Sequence, residues 1–281
     1  MNENEEKKKL TMFNFSIPPP LITREHGSWA VLIVPMLVSA AVVGKCTIDF
    51  LLLAMAAFLL FLAYVPAQVV LREFSGMPQR PEKLRQARFW GTGYGLATLC
   101  IAVPLLLKGH PLLFAFGIVG IFTFVSNFYL TKAFGKTIAT DLIAVAGLAL
   151  SGPGTYYVLT GDIDRTAASL YLLNFLFFGC SVFYVHMEIR ASAAKNSALS
   201  LSGRISQGKL NLLYHAAVVV IIGILATVHL TPAVAILAFV PMLAHAVYGT
   251  LTLSRRVRFK KLGFILLGQS LLFGMLLSHF V

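Results

Sequence analysis

Charge is what this sequence has least of. Of its 281 residues 12% are charged, and Asp and Glu number 11 against 23 Lys and Arg. An ordinary soluble domain is about 25% charged. With 58% hydrophobic residues, this chain has too little polar surface to cover its apolar side chains in water. A bilayer removes that difficulty, because lipid tails face apolar residues directly. Cysteine is scarce too. Cys46, Cys100 and Cys180 form no even set and no Cys-x-x-Cys pair, so neither a disulfide framework nor a zinc site is indicated. Cys100 and Cys180 fall in apolar runs and read as small packed hydrophobes. The histidines 110, 215, 229, 245 and 279 share no spacing and make no HExxH pattern, so no transition-metal site is assigned. Gly91-Thr92-Gly93-Tyr94-Gly95 lacks the strand and the Gly-Lys-Ser/Thr of a phosphate loop, and reads as small residues at a helix contact. No internal repeat appears, which counts against an inverted-repeat transporter.

What is present is a series of long apolar runs, each near the roughly 20 residues that a membrane-spanning helix needs. They cover 28–44, 49–71, 92–107, 111–130, 138–159, 168–189, 211–230, 232–252 and 262–280. The expected architecture is an all-α, polytopic bundle of about nine spans: a cytoplasmic tail, 1–27, and one transmembrane domain, 28–281. The tail has no signal-peptide core and reads as retained.

Orientation follows from the cations. With the N-terminus inside, segments 1–27, 72–91, 131–137, 190–210 and 253–261 hold 20 of the 23 Lys and Arg residues, leaving Lys45, Lys108 and Arg165 outside. Cytoplasmic loops carry such an excess in multi-pass proteins. The expectation is therefore a cell-membrane protein with a cytoplasmic N-terminus and an extracytoplasmic C-terminus. Its basic loops suit anionic lipids as partners, and their spread over five loops argues against nucleic acid. Trp29 and Trp90 fall at cytoplasmic span ends, where interfacial tryptophans belong.

Polar groups near span ends are the informative residues in so apolar a chain, and they gather on the predicted cytoplasmic side. They are Arg24 and His26 before the first span, Tyr64, Gln68 and Arg72 closing the second, and Asn127, Tyr129 and Lys132 closing the fourth. Lys136 and Asp141 open the fifth, and Tyr184, His186, Glu188 and Arg190 close the sixth. Four-residue spacing puts Tyr184 and Glu188 on one helix face, and His186 and Arg190 on another. Glu188 sits where the helix dipole disfavours an acid and needs a partner, for which Arg190 or a loop cation would serve. A salt-bridge network that locks the bundle is one reading of the set. The other is a cytoplasmic cavity for an anionic headgroup or a diphosphate.

The stretch Arg24-Glu25-His26-Gly27-Ser28-Trp29-Ala30, followed by an apolar run with Pro35, resembles the opening of the YwiC-like family of bacterial membrane proteins. That likeness extends over most of the chain and implies no particular reaction. A wider one is to the UbiA superfamily of intramembrane prenyltransferases, nine-helix bundles with a cytoplasmic active site. Tyr129-Leu130-Thr131-Lys132, then Asp141 to Gly154 with Pro153, is similar to that superfamily's passage from fourth to fifth helix. Tyr184-Val185-His186-Met187-Glu188 resembles the Tyr-x-x-x-Asp of its second acidic motif, with Glu188 in the place of the first aspartate and Ser192 at the later acid position. The first acidic motif should lie within 63–76, where this chain has Pro66, Gln68, Arg72 and Glu73 but no aspartate. In those enzymes the aspartates hold magnesium ions that bridge to the diphosphate, and magnesium requires oxygen ligands in octahedral array.

The resemblance thus implies a UbiA-like fold, with magnesium weakly supported and no cofactor expected. An isoprenoid is the implied substrate class. Arg24, His26, Gln68, Arg72, Tyr129, Lys132 and Arg190 are the expected anion-binding residues. Tyr184 and Glu188 are the candidate catalytic pair, in a prenyltransferase-like transferase without the two-magnesium site. The alternative is a non-catalytic lipid or quinone binder, or a small membrane transporter. The topology is testable. A variant whose sole cysteine is Cys46 should react with an impermeant maleimide on intact cells, whereas a sole Lys132→Cys should react only after permeabilisation; labelling of Lys132→Cys from outside would overturn the orientation.

Overall fold

The computed structural model describes residues 18–22, 26–193, 200–253 and 258–281. Among these residues every regular element is helical: α1 (His26–Val43), α2 (Ile48–Phe74), α3 (Pro81–Leu107), α4 (Leu112–Phe134) and α5 (Ile138–Ala149). There follow α6 (Ser151–Thr160), α7 (Arg165–Ala193), α8 (Leu201–Thr227), a 3-10 segment (Ala233–Phe239), α9 (Val240–Leu251) and α10 (Phe259–Phe280). Counting α5 with α6, and the 3-10 segment with α9, eight helices among the described residues are long and apolar enough to cross a membrane. The shorter Gly27–Val43 makes a ninth apolar helix. The protein is a polytopic helical membrane bundle.

Several helices outrun their apolar runs. α3 begins at Pro81, and α8 begins at Leu201, so the helix in each case carries about ten residues of the polar segment before it. The apolar run reports the stretch that needs lipid, while backbone hydrogen bonding continues into the loops. Both α3 and α8 have good starts: Pro at the first helical position of α3, and the Ser200 hydroxyl accepting from Gly203 N in α8 at 3.2 Å.

The chain divides into two compact units, one from Met1–Thr23 with Leu59–Ala97, the other from Arg24–Phe58 with Thr98–Val281. In the first, Gly76 (φ 76°) turns the chain after α2, and the Glu73 carboxylate accepts the Gln79 N–H at 2.7 Å. Gly91 faces Pro66, where a Cβ would approach the proline Cβ to 3.3 Å. Proline carbonyls of the N-terminal segment dock on α3: Trp90 Nε1 donates to Pro18 O at 2.8 Å, and the Gln86 amide donates to Pro19 O. Trp90 is thus an anchor for the Pro18–Pro20 stretch, with its ring stacked on Tyr94 at 5.3 Å.

The second unit holds the main core. α1 packs against α6 and α10, and also against α5 and α7, which buries Ala30, Val31, Leu32, Val34, Met36 and Val38. Phe177 of α7 stacks on Phe273 of α10 at 3.8 Å, with Phe239 edge-on to both. Cys180 is fully buried, as a small hydrophobe should be, but Cys100 is exposed, so the apolar run around it did not reveal which face packs. α4 shows the opposite extreme. It is apolar all round, yet Phe114, Ile118, Ile121 and Phe122 are exposed, as expected of a lipid-facing surface.

α1 crosses α6 closely. Pro153 has no N–H for the carbonyl of Ala149, and the helical run from 138 to 160 breaks at Leu150. There the Ser151 hydroxyl donates to Leu32 O at 2.8 Å, and Gly152 lies under Pro35, where a Cβ would come within 3.2 Å of the proline Cβ. Gly154, two residues on, has nothing within 4 Å. Gly152→Val should therefore lower the melting temperature in detergent, at a cost of about 1–3 kcal/mol for overpacking, while Gly154→Ala should leave it within a degree or two. Equal effects would show that this crossing is not close.

Candidate functional site

The ends of α4 and α7 and the start of α5 are tied together by polar groups. Thr137 caps α5: its hydroxyl accepts from Thr140 N at 3.3 Å, and its own N–H donates to the Thr140 hydroxyl at 2.9 Å. The Asn127 amide, buried on α4, donates to the Thr140 carbonyl. That fixes Asp141 in the first turn of α5, where the helix dipole favours an acid. Across from it, His186 Nε2 lies 2.9 Å from Asp141 Oδ2, with both side chains largely covered. The pair joins α5 to α7 across 45 residues of sequence.

The other candidate pair lies on a different face of α7. Tyr184 and Glu188 stand one turn apart on α7, within interaction range of each other. The Tyr184 ring is 3% exposed and sits 4.6 Å from that of His245 on α9. Its hydroxyl fills the space that a side chain on Gly249 would take. No ion pair joins Glu188 to Arg190 among the described residues. Residues 184 and 186 are about 200° apart around a helix, so the two acids of this region, Asp141 and Glu188, look to opposite sides of α7.

The remaining candidates are dispersed. Lys132 and Arg190 are exposed near the ends of α4 and α7. Tyr129 is 50% exposed and touches Phe128 edge-on. Gln68 and Arg72 belong to the other unit, where the Gln68 amide donates to the Tyr64 hydroxyl at 2.8 Å and Arg72 is exposed. Arg24 lies outside the described residues, and His26 opens α1 with its side chain outside them. Among the described residues no group of three or more His, Cys, Asp or Glu is placed to hold a metal ion.

Two clusters were not read from the sequence. Asp49, at the start of α2, receives Lys108 Nζ at 2.8 Å, with His110 Nε2 3.7 Å away and the His110 ring edge-on to Tyr157. Nothing in the spacing of 49, 108 and 110 announces that contact. The second lies between α7, α8 and α9. There the Asn211 amide donates to the Thr250 hydroxyl at 3.3 Å, and His215 Nδ1 bonds the Asn211 carbonyl at 2.8 Å. Here a signal existed: Asn211 and His215 are four apart at the start of an apolar run.

The Asp141–His186 contact can be measured as a coupling. A double-mutant cycle with Asp141→Asn and His186→Gln should give about 1 kcal/mol of interaction energy, in the range of a partly exposed pair. Additive effects on thermal unfolding would show that the contact carries no energy.

With the geometry described, three comparisons bear on identity. The family model for YwiC-like protein matches residues 22–156. "Uncharacterized protein YwiC" of Bacillus subtilis (strain 168) is 26% identical over 171 residues, which is 60% of this chain and 67% of that protein. No solved structure matches the chain. The matched stretch begins just before Arg24-Glu25-His26-Gly27 and ends in α6, so the likeness seen in the opening motif is to the YwiC-like family.

Proposed function

We propose that this membrane protein holds the anionic headgroup of a lipid at the cytoplasmic face of the cell membrane, using Arg and Lys side chains in place of metal ions. The UbiA likeness names an isoprenoid diphosphate as the substrate class. The observation that carries the reading is how the carboxylates are engaged. Asp141 is bonded to His186, and Glu73 to the Gln79 backbone. The acidic-motif positions keep only Glu73 and Glu188 as acids, too few carboxylates for a two-magnesium centre, which would need clustered carboxylate oxygens. What remains for an anion is positive: Arg190 is exposed at the end of α7, and the formal net charge is +12. Charge-assisted hydrogen bonds from Arg and Lys to phosphate oxygens are short and strong, and Arg forks match a phosphate bidentately.

In the catalytic form of this reading, cations stabilise the diphosphate as the allylic C–O bond breaks. The acceptor then bonds to the prenyl carbon and gives its proton to Glu188, which Tyr184 holds in position. The non-catalytic form, a lipid or quinone binder, uses the same cations and stops at binding.

Purified protein in nanodiscs should bind a polyprenyl diphosphate equally well with and without EDTA. Arg190→Ala should weaken binding about tenfold, the worth of one hydrogen bond to a charged group. Loss of binding on EDTA treatment would overturn the metal-free clamp, and a polyprenyl alcohol binding as tightly as the diphosphate would overturn the anion site.

A further inference from the structure

The polar interior shared by α7, α8 and α9 has a surplus of hydrogen-bond acceptors. His215 stands 14 residues after the start of α8 and 12 before its end, so roughly 20 Å of helix lies on either side. It is 4% exposed and Asn211 is 1% exposed. His215 Nδ1 is 2.8 Å from the Asn211 carbonyl oxygen. A carbonyl accepts only, so the ring hydrogen is on Nδ1, and the neutral imidazole keeps a bare lone pair on Nε2. That atom is buried and has no partner among the described residues.

The amide of Asn211 can be oriented by the same logic. The Thr250 hydroxyl has one hydrogen, which goes to the Ala246 carbonyl at 2.8 Å, or to Met187 Sδ at 3.3 Å. In either case Thr250 can only accept from Asn211, so the amide nitrogen faces Thr250 and Oδ1 points away. Asn211 Oδ1 is likewise buried and unpartnered among the described residues. One helical face thus carries two acceptors four residues apart and no donor to meet them. Leaving such groups unmet in an apolar interior costs about 1–3 kcal/mol each.

Beside them His245 is partly exposed, with its Nε2 buried, and it lies within electrostatic reach of His215. Its ring lies 4.6 Å from that of Tyr184. Gly208, one turn before Asn211, has no Cβ to keep Thr250 and Met187 away. The wall is therefore close-packed on one side, and it is less covered at His245.

We propose that Asn211 Oδ1 and His215 Nε2 form an intramembrane binding site for a hydroxyl group, brought either by a water molecule or by a membrane-soluble alcohol. The ligand donates its O–H to Nε2, and a second O–H or N–H of the same or a neighbouring molecule meets Oδ1. The site uses none of the cations of the proposed headgroup clamp and does not depend on that reading. It selects donors: an ether or ketone of the same shape has nothing to offer two acceptors.

The test uses full-length protein with 15N-labelled histidine in phospholipid nanodiscs, with His215 assigned by side-chain to backbone correlation so that no variant has to fold. Its spectrum should show hydrogen on Nδ1 and a hydrogen-bonded, unprotonated Nε2. Dodecanol should move the Nε2 resonance at concentrations about tenfold below any effect of dodecyl methyl ether, as one hydrogen bond would give. A resonance already shifted, insensitive to dodecanol and exchanging magnetisation with water, would identify water as the source of the hydroxyl. An Nε2–H tautomer, a free lone-pair shift under both conditions, or equal response to alcohol and ether would overturn the proposal.

Discussion

A polar group inside the hydrocarbon layer has no water to turn to, and one left without a partner is costly. That requirement organises the interior of this protein. The hydroxyls of Thr160, Thr250, Thr252 and Ser270 bond back to the carbonyl four residues earlier in their own helices. Asn174 does the same with its amide, donating to Leu170 O at 2.8 Å. The hydroxyls, self-satisfied in this way, can lie in apolar spans at little cost. Acids cannot solve the problem alone. Asp49 is met by Lys108, and Asp141 by His186.

Proline and glycine serve the same requirement from the other side. A proline inside a helix frees a carbonyl, and small residues nearby let a donor or another backbone come close. At the crossing of α1 and α6, Pro35, Ser151, Gly152 and Pro153 are used together, and the hydroxyl of Ser151 reaches Leu32 O because Gly152 allows the approach. The short helix α1 is consequently among the best buried, although hydropathy alone would place it beside its longer neighbours. Tyrosine hydroxyls use glycines similarly: Tyr184 lies on Gly249 and Tyr214 on Gly179.

The number of apolar helices could be read from the sequence because burial in lipid leaves a long, unmistakable run. Their ends could not, since α3 and α8 continue through residues that no lipid needs to cover. Which face of each helix packs was also hidden. A helix surrounded by lipid and protein is apolar on every side, so amphipathicity gives no bearing, and Cys100 and Cys180 looked alike until one proved exposed. The site was legible as a set of residue types at one end of several spans. Its pairings were not: Tyr184 with Glu188 follows from helical spacing, but His186 with Asp141 depends on how α5 and α7 pack. The midspan acceptors of α8 escaped notice for a further reason, because a lone histidine in an apolar run means nothing until its tautomer is fixed by a neighbour.

The pairing of acids bears on the charge a ligand would meet. Asp141, on α5, is met by His186 on one face of α7, while Glu188 lies on the opposite face of that helix. Arg190, one turn beyond His186, is exposed past both of them. An arginine at the C-terminal end of a helix is favoured by the dipole, and it keeps its charge at any physiological pH. α7 thus carries a single acid, Glu188, among its residues and presents Arg190 at its C-terminal end, where the dipole favours a cation.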